Sequence, residues 1–454
     1  MKKIKLEPPQ AIVLSFFSVI LLGALLLNLP ISARENVSPG FLNSLFTATS
    51  ATCVTGLIVK DTGSFFSPFG RMVILMLIQA GGLGIMTFST MFAIALGRKL
   101  SISQNVTIQK ALGHTKIQGL PELILYIVKF TLSIELIGAA LLYLRWASIS
   151  GTNTLADIER AVFHSVSAFC NAGFSLFSKS LQGFYSDGVV LGIFSALIII
   201  GGMGFIVFLD IPKLKFWRKD RRLIFSRISI QTKMVFLITF VLIIIGAAGV
   251  WLLESNNTLS GMAHKDKLSC SLFASITPRT AGFNVLPTNA LRPATLFMLI
   301  ILMFIGASPG STGGGIKTVT FGVMVVAFVS MLYNRDRISV FRKTIPRQTY
   351  RRAAVIVFLG LGVIALSTFL LSITEAAASG GSRYFLNILF EVTSAFGTVG
   401  LSTGITPGLS GLGKFIIICT MFIGRVGPLT IALAVAMRKE RIGYIYPEEK
   451  LMVG

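Results

Sequence analysis

The chain has 454 residues, 53% of them hydrophobic and only 13% charged, with a mean hydropathy of +0.79. That balance excludes an ordinary soluble domain and indicates a chain that crosses a membrane many times. A net charge of +23 would suit nucleic acid, but the Lys and Arg residues fall between apolar runs, where they read as topology signals.

Apolar runs of about 20 residues, enough to span a bilayer, come in pairs: 11–30 with 70–97, 122–146 with 188–211, 230–253 with 294–333, and 353–374 with 412–437. The first run starts near Ala11 and reaches Pro30, too long for a cleaved signal. Basic clusters precede the first run and follow each pair: Lys2, Lys3, Lys5; Arg98, Lys99, Lys110, Lys116; Lys213 through Arg227; Arg335 through Arg352; Arg438, Lys439, Arg441. If each pair crosses twice, all of them share one side. The positive-inside rule makes that side cytoplasmic, with both termini.

Between the members of each pair lies a semi-polar stretch too short to cross, which reads as re-entrant from the outside. The four stretches resemble one another: 45–57, 162–174, 272–283 and 389–401. Each has an apolar pair, a small hydroxyl-rich helical turn, then Gly followed by Phe or Leu. The third is one residue shorter. Gly56, Gly173, Gly282 and Gly400 mark a fourfold internal repeat. The second helices repeat as well. Gly81-Gly82-Leu83-Gly84 matches Gly201-Gly202-Met203-Gly204, and close helix packing alone would account for both. The third carries Gly306-Ala307-Ser308-Pro309-Gly310-Ser311-Thr312-Gly313-Gly314-Gly315-Ile316-Lys317, and the fourth Gly424-Arg425-Val426-Gly427. The expected units are 1–119, 120–225, 226–346 with a broken second helix, and 347–454.

The glycine-rich break interrupts an apolar run, and open backbone inside a membrane survives only where it is buried in protein or lines water. A phosphate-binding loop is disfavoured, because Ile316 separates Lys317 from the last Gly and no soluble strand–helix context surrounds it. Four helix–re-entrant–helix units form a ring about one axis. Short helices ending there bring four partial negative charges to a cation. The strands after them can turn backbone carbonyls inward, as potassium filters do. Candidate filter residues are Cys53, Val54, Thr55 and Gly56; Cys170, Asn171, Ala172 and Gly173; Arg279, Thr280, Ala281 and Gly282; Gly397, Thr398, Val399 and Gly400.

Arg425 is a charge inside an apolar helix, and such residues face a bundle interior or a cavity. It either sets an electrostatic barrier below the filter or bonds helix carbonyls structurally. His164 and Glu391, at equivalent points on the short helices, read as packing or capping residues. Glu135 reads as a structural partner of a polar neighbour. Cys53, Cys170, Cys270 and Cys419 lack metal or disulfide spacing. There is no triad or carboxylate pair, so the chain reads as no enzyme, with no organic cofactor.

At these residues the chain resembles the Trk/Ktr/HKT superfamily of potassium transporters. The likeness runs over about 8–437, through Val54–Leu57, Asn171–Phe174, Thr277–Phe283, Phe396–Gly400 and Phe422–Arg425. With eight main spans and no extra leading pair, it is most similar to the Ktr membrane subunit. That resemblance implies potassium uptake across the plasma membrane, often sodium-stimulated. It implies a homodimer with one pore per subunit on a cytosolic RCK-type nucleotide-binding ring. Gly306, Ser308, Gly310, Ser311, Thr312, Gly313, Gly314 and Gly315 become the intramembrane gate, with Lys317 near its cytoplasmic mouth. Pro309 departs from the small residues expected there. The expected fold is an all-α polytopic membrane protein, four helix–pore-loop–helix units in pseudo-fourfold symmetry around one ion pathway. A secondary transporter with broken helices and a non-transporting assembly subunit remain as alternatives.

Overall fold

A computed structural model describes residues 8–84, 120–150, 155–210, 228–334, 337–375 and 384–435. The basic residues at 2–5, 98–116, 213–227, 335 and 438–441 lie outside them, as do the second half of the 70–97 span and the C-terminal tail.

The first unit contains α1 (Pro8–Leu27), the short helix α2 (Phe41–Thr52), one turn α3 (Thr62–Phe65) and α4 (Pro68–Gly82). The second contains α5 (Leu120–Ser150), short helix α6 (Leu155–Phe169), α7 (Gly188–Met203) and α8 (Phe205–Asp210). The third runs α9 (Ile230–Glu254), short helix α10 (His264–Ile276), α11 (Pro293–Phe304) and α12 (Thr318–Leu332). The fourth runs α13 (Arg347–Thr374), short helix α14 (Tyr384–Gly397), α15 (Gly411–Val426) and α16 (Pro428–Val435). A two-stranded hairpin, β1 (Ser339–Val340) with β2 (Lys343–Thr344), joins the last two units.

Helices starting at Pro9, Ile124, Ile230 and Arg347 are long and apolar enough to span a membrane. They are the outer layer and expose Phe17, Leu136, Phe240 and Phe358. The short helices form the inner layer, where Phe46, Phe163, Phe273 and Phe390 are all buried. Burying an aromatic ring removes 150–250 Å² from solvent or lipid, so these four anchor each short helix in the bundle. Three of the four second helices begin at side-chain caps, and α11 begins at Pro293 without one. Ser67 Oγ accepts from Gly70 N at 3.2 Å, Asp187 from Val189 N and Val190 N, and Ser410 Oγ from Gly413 N at 3.0 Å.

Only the third of these helices was expected to break. In the structure α4 ends at Gly82, α7 at Met203, α11 at Phe304 and α15 at Val426. The cause is local: Gly84, Gly204 and Gly427 have φ of 82°, 88° and 94°, a conformation free only to glycine. The packing role expected of the glycine pairs holds alongside this. A Cβ on Gly81, Gly201 or Gly424 would come within 1.9–2.0 Å of the carbonyl oxygen of Thr52, Phe169 or Phe396 on the same unit's short helix.

Candidate functional site

Each short helix hands directly to one candidate filter strand, and all four strands take the same path. Val54, Asn171, Thr280 and Thr398 have φ of 57°, 57°, 72° and 50°, and the glycines two positions later, Gly56, Gly173, Gly282 and Gly400, have 89°, 70°, 76° and 90°. With constant negative φ an extended chain points its carbonyls to alternate sides. Reversing φ at every second residue lets successive carbonyls face the same side. Three of the four non-glycine positions are β-branched, where positive φ is a true outlier costing about 1–3 kcal/mol. Such strain persists only where the surroundings impose it.

The imposing bonds come from the short helices. Thr55, Ala172 and Val399 donate their N–H groups to Ser50 O, Ser167 O and Ser394 O at 2.8, 2.7 and 2.8 Å, and Ala281 donates to Thr277 O at 2.9 Å. Gly56 N and Gly400 N donate to Ser50 Oγ and Ser394 Oγ at 3.1 and 3.0 Å. The hydroxyls of Ser167 and Thr277 instead donate to Phe174 O and Phe283 O at 2.8 and 2.6 Å. The strands' amides therefore face outward onto their own helices. Among the described residues, no hydrogen bond is donated to any carbonyl of 53–56, 170–173, 279–282 or 397–400. Buried carbonyls are nearly always paired, so an uncommitted set on one side of four strands is a surface prepared for a donor or a cation.

The strands close into a ring. A Cβ on Gly56 would lie 2.5 Å from Ala172 O, one on Gly173 3.0 Å from Ala281 O, one on Gly282 2.4 Å from Val399 O, and one on Gly400 2.0 Å from Thr55 O. Each glycine thus abuts the next strand, and the fourth abuts the first. Any side chain here would collide with the neighbouring strand. Above the ring opens a cavity of about 250 Å³ lined by all four glycines together with Asp61, Ser175, Lys179 and Ser402.

Two residues read as capping positions brace the far end of the strands. His164 Nε2 accepts from Leu176 N at 3.2 Å and contacts Ser175 Oγ at 3.1 Å. Glu391 accepts from Thr403 N at 3.0 Å, Ser402 Oγ at 2.5 Å and Thr406 Oγ1 at 2.9 Å. Both meet the residues two and three positions after their strand's glycine, so one role is served by an imidazole and by a carboxylate.

On the other side of the ring lies the segment 305–317. Ile305 and Ile316 pair as a parallel bridge, with Gly306 N donating to Ile316 O at 2.8 Å. Ser308 N and Thr312 N reach Gly202 O and Gly201 O at 3.0 and 3.4 Å, Phe205 N donates to Gly310 O at 2.9 Å, and Thr312 Oγ1 donates to Phe169 O at 3.3 Å. Ser311 Oγ closes a turn on Ser308 O at 2.6 Å, and Thr318 Oγ1 donates to Ser308 Oγ at 3.1 Å. Pro309 sits at the turn, and Gly310 takes φ 70°. The three consecutive glycines press on the strands: a Cβ on Gly313 would be 2.0 Å from Thr280 Oγ1, one on Gly314 2.4 Å from Thr398 Oγ1, and one on Gly315 3.2 Å from Gly397 Cα. Gly314 N also donates to Thr398 Oγ1 at 2.9 Å.

Two cations hold this segment. Lys317 Nζ donates to Gly313 O at 2.6 Å. Arg425 donates through Nη1 to Thr312 O and through Nη2 to Gly81 O. The guanidinium therefore joins the fourth unit to the third unit's loop and to the C-terminal end of α4, where carbonyls are partially negative. The structure thus brings together every candidate filter and gate residue, and Arg425 both lies beside the loop and bonds carbonyls.

A family model described as TrkH, cation transport protein, matches residues 8–442. The Ktr system potassium uptake protein B of Bacillus subtilis is 40% identical over 455 residues, covering 100% of this chain and 98% of that protein. The potassium/sodium uptake protein NtpJ of Enterococcus hirae is 37% identical, with 99% and 98% covered. The fold is similar to the crystal structure of the potassium transporter TrkH from Vibrio parahaemolyticus, with a TM-score of 0.73, 17% identity, and 96% and 86% of the two chains covered.

Proposed function

The chain belongs to this family of cation transport proteins, and on that premise we propose that it takes up potassium through the ring of strands at 53–56, 170–173, 279–282 and 397–400. The observation that carries the reading is the set of carbonyls left without donors around a closed ring of glycines. Carbonyls so arranged replace the hydration shell of a cation. The relatives named for potassium uptake support potassium as the cargo, and the one named for potassium and sodium supports a sodium effect on uptake.

In this reading the units 1–119, 120–225, 226–346 and 347–454 surround one pathway. The segment 306–315 is the gate, and Lys317 and Arg425 hold it shut while placing positive charge under the ring. The protein acts in the plasma membrane with both termini cytoplasmic. Two copies, each with its own pathway, stand on a cytosolic ring of nucleotide-binding subunits, which the basic inter-unit sequences support as a docking surface. No organic cofactor and no catalysed reaction enter.

Uptake of labelled rubidium into liposomes holding the purified protein tests this, with potassium, sodium and a large organic cation as competitors. Potassium-preferring competition that is lost in Gly173→Ser supports the ring. Flux with no preference among the three cations, or a preference unchanged in Gly173→Ser, overturns it.

A further inference from the structure

Behind the second strand, at the junction of the first two units, lies a polar group that the ring does not use. Glu135 sits in the middle of α5 and is only 5% exposed. Gln79 Nε2, from α4, donates to its Oε2 at 3.1 Å. Cys170, the first residue of the second strand, places Sγ 3.7 Å from Glu135 Oε1 and 3.6 Å from Gln79 Oε1. The thiol has one proton and two acceptors waiting for it. The sulfur packs on Gly82, where an added Cβ would come within 2.6 Å of it.

The same junction between the second and third units provides the internal control. Ser165 Oγ donates to Glu135 O at 2.7 Å, and Ser275 Oγ donates to Ile243 O at 2.8 Å. Gly138 and Gly246, each three residues further on, receive those same serines at 2.5 and 2.3 Å from a notional Cβ. Glu135 and Ile243 are therefore structural counterparts. By the glycine alignment of the second helices, so are Gln79 and Ile199. In the counterpart junction these two helix positions are isoleucines, although the strand position equivalent to Cys170 is the buried Arg279. A carboxylate and an amide in the other carry a desolvation cost that packing does not require.

We infer that Glu135, fixed by Gln79, is a positioning residue for ion discrimination: it holds Cys170, and through it the carbonyls of 171–173, at their place in the ring. The inference rests on the ring being the selective element. It differs from a structural role in what it moves. A polar group that only joined helices would change stability and leave discrimination alone, whereas one that sets carbonyl positions changes which ion replaces its hydration shell best.

The test compares wild-type protein with Glu135→Ile, which copies the counterpart junction, and with Glu135→Gln, which keeps a hydrogen-bonding head of the same shape. Potassium and sodium competition against rubidium uptake is measured in liposomes, beside thermal stability in detergent. Glu135→Ile is expected to assemble and to lose potassium-over-sodium preference by about fivefold to tenfold, the scale of losing a buried partner. Gln79→Leu is expected to do the same, and the double variant no more than either alone. Glu135→Gln is expected to stay within about twofold of wild type. A wild-type preference in Glu135→Ile overturns the inference, whatever its stability. Gly173→Ser separates the two readings: preference lost there but intact in Glu135→Ile sinks only the positioning role, while preference intact in both sinks the ring itself.

Discussion

The two sides of the ring follow opposite rules. Toward the vestibule the molecule repeats itself four times: the same φ reversal, the same outward amides and the same glycine-to-carbonyl closure recur with four different sequences. On the other side the repetition stops. The second helices stop at Gly82, Met203, Phe304 and Val426, yet among the described residues the third alone leads into a long loop under the ring and the fourth alone supplies an arginine to it. A cation meeting a ring of oxygens needs equal contacts from every direction, so discrimination demands symmetry. Closing a pathway needs one obstruction, so a single unit can be spared for it.

That contrast can be broken deliberately. The largest effect is expected at the ring: Gly56→Ala or Gly400→Ala puts a methyl into a neighbour's carbonyl and removes free access to positive φ. Potassium-preferring uptake should fall more than about tenfold, since each 1.4 kcal/mol is a factor of ten and the strain alone is about 1–2 kcal/mol. Next comes the loop. Removing 309–313 should raise rubidium flux several-fold while the potassium-to-sodium preference stays unchanged, because the loop touches the ring without forming it. A fall in flux with intact assembly would mean that the loop is part of the path. Smaller again is Arg425→Gln, which deletes a bond to Thr312 O and one to Gly81 O; flux should rise about twofold to threefold, the low end of the scale for a hydrogen bond. Unchanged flux and ion dependence would leave Arg425 a purely structural joint. Last is Glu391→Leu, on the vestibule side, which strands Thr403 N–H and the hydroxyls of Ser402, Thr403 and Thr406. It should cost about 1–3 kcal/mol of stability, read as a lower melting temperature, with little change in preference.

What the sequence made legible follows the same divide. Gly56, Gly173, Gly282 and Gly400 stand out because a repeat multiplies a weak signal by four, and Arg425 because a charge in an apolar run has few explanations. Val54, Thr280 and Thr398 gave no sign of their left-handed backbone, since nothing in a β-branched side chain advertises it. The positive-φ turns at Gly84, Gly204 and Gly427 were hidden for a different reason. Paired glycines in an apolar helix serve close packing equally well, and here they do both. His164 and Glu391 share one bracing task with unlike chemistry, so residue type could not reveal the equivalence. The strands bearing the carbonyls were legible from the repeat, but that those carbonyls lack donors was not, because every residue has a carbonyl.

The contact between the fourth strand and the first has a consequence for how the protein is made. Gly400 completes the ring against Thr55 and Gly56, and Arg425 reaches back 344 residues to Gly81. At ~5–20 residues per second, roughly 20–70 s of synthesis separate these partners. A ribosome that stalls anywhere in between leaves at most three strands and no enclosed axis. If the proposed ring is the pathway, the nascent chain offers ions no enclosed route until the last quarter of the polypeptide has arrived.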